Sequence, residues 1–181
     1  MRVQAQIEIA APRGAVWELV TDPERYLHFM AGMTRWEVAG DRATGLGARY
    51  RTLMRVGSAE IGGLVEVVEW DEERDLAWSS VTGVDQRGRW RLRAGSAGPD
   101  STRVELRLAY GVAGSGILGW VAEVVAAPTV RGHLRRSLQQ LKRQVEHEQL
   151  RRQAAARRSG AGVSATSASR SSGSPRRTNG N

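Results

Sequence analysis

The chain is 181 residues long and 40% hydrophobic, enough for one domain of ordinary size with a sizeable core. It has no cysteine, which excludes disulfides, thiol nucleophiles, iron–sulfur clusters and cysteine zinc sites. The formal charge is +8, but residues 151–181 hold seven of the 27 basic residues and no acid, which leaves 20 basic residues against 19 acids in the rest.

The basic character therefore belongs to a tail, and the net charge is no argument for a nucleic-acid-binding folded surface. Met1 to Pro12 has no apolar stretch of the signal-peptide kind. The longest apolar run, Gly116 to Pro128, is interrupted by Glu123 and is too short to span a bilayer. A soluble, cytoplasmic protein is expected. His28, His133 and His147 are far apart and form no metal motif, so no cofactor is expected.

In chain order, Val3, Ala5, Ile7 and Ile9 alternate with polar residues and predict a half-buried strand. Pro12 suits the first turn of a helix whose apolar side is Val16, Trp17, Leu19 and Val20. Asp22-Pro23-Glu24 reads as cap, first position and first-turn acid of a second short helix carrying Tyr26, Leu27, Phe29 and Met30.

From Met33 to Tyr110 the period is two. Tyr50, Thr52, Met54 and Val56 alternate with arginines; Gly62-Gly63 precedes a strand to Trp70 with room for a bulge; Asp71 to Asp75 is a charged turn. Arg87, Arg89, Arg91 and Arg93 alternate with Gly88, Trp90 and Leu92, a Gly/Ser/Asp-rich hairpin loop spans Gly95 to Ser101, and Val104 to Tyr110 forms the last strand. One face is apolar and the other charged, as in an antiparallel sheet with one wet side.

After Gly111 the period becomes helical: Ile117, Val121 and Val124, then Leu134, Leu138, Leu141 and Val145. Pro128 should kink or restart this helix. The helix is allowed to run to Arg158. Ser159 to Asn181 lacks the apolar content to offset its ordering entropy and reads as disordered. The expectation is an α+β fold: about seven antiparallel strands in a curved sheet wrapped around a long C-terminal helix, with two short helices after strand 1. The domain covers 1–150 and the Arg/Ser/Gly-rich tail 151–181. Only the C-terminal helix is long enough to cover the apolar sheet face, and the pair should enclose a hollow.

Several stretches carry a family likeness: Ile7-Glu8-Ile9-Ala10-Ala11-Pro12 with Val16 to Asp22, Val67-Val68-Glu69-Trp70 with Arg74 to Trp78, Gly88 to Leu92, Ser101 to Val104, and the helix from Leu138 to Glu146. Over residues 2–148 the chain resembles the START-like (SRPBCC) superfamily, the helix-grip fold, and within it the bacterial polyketide cyclase/dehydrase and lipid-transport branch. The resemblance implies a hydrophobic ligand cavity. Members include lipid carriers, hormone-binding proteins, cyclases and stress proteins, and fold alone does not choose among them.

Gly114 to Gly119 matches GxGxxG after a strand and before a helix. A dinucleotide site also needs a second parallel strand and a ribose-binding acid; only helix and tail follow, so the glycines read as a flexible lead into the C-terminal helix. The acids of Asp71 to Asp75 read as a solvated turn, not a metal site. Glu66 and Glu69 have opposite parity, so one turns inward unless a bulge shifts the register. An inward carboxylate would serve as pocket hook or general acid/base; at an edge it would pair with an arginine. His28 and His133 are expected at the surface, with the cavity mouth as the alternative.

Trp36, Trp78, Trp90 and Trp120 lie on apolar faces, either as core or as cavity lining. The expected function is binding or transport of a hydrophobic small molecule, with contacts from Tyr50, Met54, Trp78, Trp90, Tyr110, Trp120 and Val124. The alternative is an aromatase/cyclase using Tyr50, Tyr110 and one of Glu66 or Glu69. A third reading gives the tail a contact with anionic membrane or nucleic acid.

Overall fold

The computed structural model describes the backbone of residues 2–111 and 116–168 and the side chains of residues 2–111 and 128–159. Strand β1 (Arg2–Ile9) leads to helix α1 (Arg13–Thr21), a 3-10 turn (Pro23–Arg25) and helix α2 (Tyr26–Phe29). Six strands follow: β2 (Met33–Val38), β3 (Arg49–Val56), β4 (Ala59–Asp71), β5 (Asp75–Gly83), β6 (Asp85–Gly95) and β7 (Gly98–Gly111). Helix α3 (Gly116–Ala168) closes the described chain. A compact unit spans Met1–Glu146 and a second spans His147–Asn181. The segment expected to be a glycine-rich lead into the helix begins outside the described residues; of the stretch expected to be disordered from Ser159, residues 159–168 continue α3 and residues 169–181 lie outside the described residues.

The seven strands form one sheet in the order β1-β7-β6-β5-β4-β3-β2, antiparallel throughout. It is a curled half-barrel, the helix-grip α+β architecture expected of the alternating strands. Two features bend it. The register shifts at Leu64/Val65 and again at Val67/Glu69, and each bulge adds local twist. Gly63 pairs with Gly83 where three strands approach closely; a Cβ at Gly63 would overlap the Thr82 carbonyl.

The caps follow the chemistry read from the chain. The Asp22 side chain accepts from the Glu24 backbone N–H at 3.0 Å, with Pro23 in the first helical position. Helix α3 runs through Pro128 without a break, so no restart occurs there. The β6–β7 connection is tighter than expected: only Ser96 and Ala97 intervene, and Gly98 adopts φ +97°. The Glu8 carboxylate braces that turn, accepting from the Ser96 hydroxyl and backbone N–H and from the Ser101 hydroxyl. Those bonds hold the Glu8 carboxyl below the usual range.

The core lies between the sheet and α3. Val130, Leu134, Leu138, Leu141 and Val145 are each 1% exposed or less and recur at helical spacing. They join Val3, Ile9, Val65, Val67, Leu92, Val104 and Leu106 of the sheet in one cluster. Polar ties fix the register of α3. Lys142 Nζ donates to Glu8 O at 2.7 Å, Glu146 Oε1 accepts from Ala10 N at 2.8 Å, and Ser137 Oγ accepts from Ala31 N at 2.9 Å.

Asp75 is a correction to the charged-turn reading. It opens β5, is 7% exposed, and its two oxygens accept from Arg91 Nε at 3.2 Å and Arg93 at 2.7 Å. Burial alone would raise its pKa; the hydrogen bonds from Arg93 and Arg91 and their charges outweigh this and hold it below the ordinary aspartate value. A depressed folded-state pKa gives stability that is full above the ordinary value near 3.9 and is lost as pH falls through the folded value. Asp75→Asn is therefore expected to cost about 1–3 kcal/mol at neutral pH, with the gap to the parent closing on acidification below about pH 4. Denaturant melts across that range check it; parallel curves with a constant gap contradict it.

Candidate functional site

The site is the inner face of the sheet under α3. Strand β3 turns Tyr50, Thr52 and Met54 inward, β6 turns Gln86, Gly88 and Trp90 inward, and β7 contributes Leu106, Leu108 and Tyr110. Three aromatic rings stack across the strand–helix junction. Tyr26 and Trp36 lie 3.9 Å apart at 11°, and Trp36 and Tyr50 lie 4.8 Å apart at 27°. Gly88 lets the Trp78 ring lie flat against the sheet, since a Cβ there would overlap its six-membered ring.

The hydrogen bonds are uneven. Trp90 Nε1 donates to Tyr26 Oη at 2.9 Å, and Tyr50 Oη donates to the Ala43 carbonyl at 2.8 Å. Burial pushes the Tyr26 hydroxyl far above its ordinary pKa and the Tyr50 hydroxyl up to about 12, so both stay protonated near neutrality. Trp36 is 8% exposed, yet its Nε1 has no partner among the described residues. A buried N–H left unpaired costs about 1–3 kcal/mol.

Small cavities lie in this interior, two of them lined by Trp36. One of about 20 Å³ is lined by Met30, Met33, Trp36, Thr52, Met54 and Gln86 with apolar neighbours including Trp78 and Leu134. A second of about 40 Å³ shares Met33, Thr52, Met54 and Gln86 and continues to Tyr110 and Val130. A third of about 10 Å³ lies between Tyr26, Trp36, Tyr50 and Trp78. Each has room for one or a few waters. Their walls are adaptable: Met30, Met33 and Met54 are unbranched and re-pack at low cost.

Of the residues singled out for ligand contact, Tyr50, Met54, Trp78 and Tyr110 line these cavities. Trp90 is fully buried and lines none of those described; its role in the interior is the bond to Tyr26. The side chains of Trp120 and Val124 lie outside the described residues. Sequence reasoning passed over Trp36, Met33, Thr52 and Gln86 as contacts. Gln86 shares the parity of Trp90 and Leu92, which was the available signal.

Neither Glu66 nor Glu69 faces inward. Val67 pairs with Trp78 and Glu69 with Ala77, so Val68 is the extra, bulged residue and is 52% exposed. The bulge returns Glu69 to the face Glu66 already occupies. Arg49 binds Glu66 at 2.6 Å and Arg89 binds Glu69. His133, expected at the surface, is 8% exposed and packs against Gly32, whose φ of +82° brings the turn backbone onto the imidazole. Burial, then the Arg136 charge, lowers its pKa, which keeps it neutral near pH 7. Among the described residues no group of three acidic or histidine side chains could hold a metal ion, and no helix is long and apolar enough to cross a membrane.

The Tyr26–Trp90 bond makes a direct test. Tyr26→Phe leaves the Trp90 N–H without an acceptor and is expected to destabilise by about 1–3 kcal/mol. In a Trp90→Phe background the same change should cost much less. Equal costs in the two backgrounds, measured by chemical denaturation, would show that the bond contributes nothing.

The family model for polyketide cyclase/dehydrase and lipid transport matches residues 1–146. No curated protein matches the chain. Among solved structures, a Thermus thermophilus protein is similar with TM-score 0.68 and 24% identity over 80% of this chain and 97% of that one. An aromatase/cyclase from Streptomyces sp. R1128 gives TM-score 0.67 and 19% identity over 81% of this chain and 93% of that one. A START superfamily protein from Mycobacterium smegmatis gives 0.63 and 19% over 81% and 97%. At these identities the structural likeness establishes the fold, while the sequence match over the whole globular unit establishes kinship: the chain belongs to the polyketide cyclase/dehydrase and lipid-transport family.

Proposed function

We propose that the chain binds and carries a hydrophobic small molecule between the sheet and α3. The family supports a ligand-binding role in general. The observation that carries the finer reading is the unpartnered Trp36 Nε1–H beside methionine-lined cavities. An apolar ligand bearing one carbonyl or carboxylate oxygen satisfies that donor and displaces the methionine side chains around it.

The described cavities are water-sized, so binding requires the interior to widen. Met33 and Met54, which line both larger cavities, are the side chains that yield. Burying about 300 Å² of apolar ligand surface is worth on the order of 7 kcal/mol before ordering costs, consistent with micromolar or weaker binding.

The aromatase/cyclase alternative needs an acid/base pair turned toward the ligand. Glu66 and Glu69 face the other way, paired with arginines, and Tyr50 is a very weak acid bonded to a backbone carbonyl. These features favour the carrier.

The test starts with native mass spectrometry of the purified full chain, followed by titration with dodecanoate and a set of aromatic polyketides. One bound molecule per chain at micromolar affinity is expected, weakened about tenfold or more by Met54→Trp, which fills the space. Absence of any co-purifying molecule together with no binding across the set overturns the reading. Neutral and anionic vesicles in the same series test the tail: binding to anionic vesicles alone that is lost on deletion of residues 151–181 assigns their arginines a membrane contact.

A further inference from the structure

A second hollow does not lie under α3: an open groove of about 670 Å³ runs on the opposite, outer face of the sheet. Its position follows from the register. Arg2 of β1 pairs with Ala109 of β7, which pairs with Arg87 of β6, which pairs with Ser79 of β5. In the next row Arg107 pairs with Arg89, which pairs with Ala77. All of these line the groove, together with Glu69. Small side chains at Ala77, Ser79 and Ala109 form the floor, and four arginines stand around it as walls. Ala77 is only 8% exposed although it points outward, so its neighbours already cover it.

The placement of charge is specific. Arg89 and Arg107 are directly opposite one another, an arrangement that is unfavourable for like charges. Each is neutralised by an acid, Arg89 by Glu69 from across β5 and Arg107 by Glu105 two residues earlier on its own strand. Arg2 and Arg87 have no acidic partner among the described residues. They stand two strands apart, about 10 Å, with only Ala109 between them. Both side chains are long enough to meet over that alanine. Farther along β6, Arg91 and Arg93 both close on Asp75, so the unpaired positive charge does not continue down the strand.

We propose that this groove is a binding site for a small phosphate-bearing anion of nucleotide size, held by Arg2 and Arg87 with Arg89 and Arg107 beside them. Guanidinium groups bind phosphate oxygens in pairs, and two of them converging over a small-residue floor match a diphosphate. The volume is that of a small-molecule site. A polynucleotide needs free charge along an extended track, and here it stops after one row. The site is independent of the interior one: the sheet separates them, and either can fail alone.

The experiment is isothermal titration of the full chain with inorganic pyrophosphate, ADP and a single-stranded oligonucleotide, at low and at physiological ionic strength. Pyrophosphate and ADP are expected to bind, more weakly as salt rises. The double variant Arg2→Gln, Arg87→Gln should lose about tenfold or more in affinity, with its melting temperature retained because both side chains are exposed. The control Arg176→Gln, Arg177→Gln in the tail should bind like the parent. No binding of either phosphate compound overturns the proposal. So does unchanged affinity in the groove variant, loss confined to the tail variant, or oligonucleotide binding that outcompetes ADP through Arg2 and Arg87.

Discussion

The apolar stripe of α3 pressed onto the inner face of the sheet is the interaction on which everything else depends. Val130, Leu134, Leu138, Leu141 and Val145 are almost fully removed from water. At about 2 kcal/mol for each such side chain, the gross stabilisation is on the order of 10 kcal/mol, an upper bound because the unfolded chain is itself partly compact. A curled sheet exposes a concave apolar surface that no other element among the described residues is long enough to cover. The backbone ties from Ser137, Lys142 and Glu146 then set where the stripe lies.

Covering a concave surface with a helix also sets the character of the interior. The aromatic stack of Tyr26, Trp36 and Tyr50 and the flat-lying Trp78 fill one region with rigid planes. Methionines fill the next, where the cavities run. The rigid region is hydrogen-bonded through Tyr26, Trp90 and Tyr50, whereas the Trp36 N–H meets no acceptor among the described residues. Rigid walls, a soft boundary and a buried donor unpaired among the described residues are the features on which the proposed binding of an amphipathic guest rests. The outer face works on the opposite principle, with arginines held apart by small residues and braced by acids, and its chemistry is that of charge rather than of apolar area.

Much of this was legible in the chain. Alternation placed Val3 to Ile9, Tyr50 to Met54 and Val104 to Tyr110 on the inner face, and Asp22-Pro23-Glu24 announced its turn, because those patterns depend only on neighbouring residues. Glu66 and Glu69 show where local pattern stops. Their parity puts them on opposite faces, and only the pairing of β4 with β5 reveals that Val68 is bulged out and both carboxylates turn outward. Asp75 looked like one more acid in a turn, since its partners Arg91 and Arg93 lie on a strand 16 and 18 residues away. His133 was misplaced for a similar reason: its burial depends on a left-handed glycine a hundred residues earlier. The groove of Arg2 and Arg87 needed three strands in register before it existed at all.

The central claim, that a guest enters between the sheet and α3 and is received by Trp36, is tested most directly by the indole N–H resonances of the isotope-labelled full chain during titration with dodecanoate. The Trp36 signal, assigned through Trp36→Phe, should move downfield as its hydrogen bond forms, while that of Trp90, already bonded to Tyr26, moves much less. Saturating ligand that leaves the Trp36 resonance in place, with shifts confined to the outer face or the tail, would contradict the account.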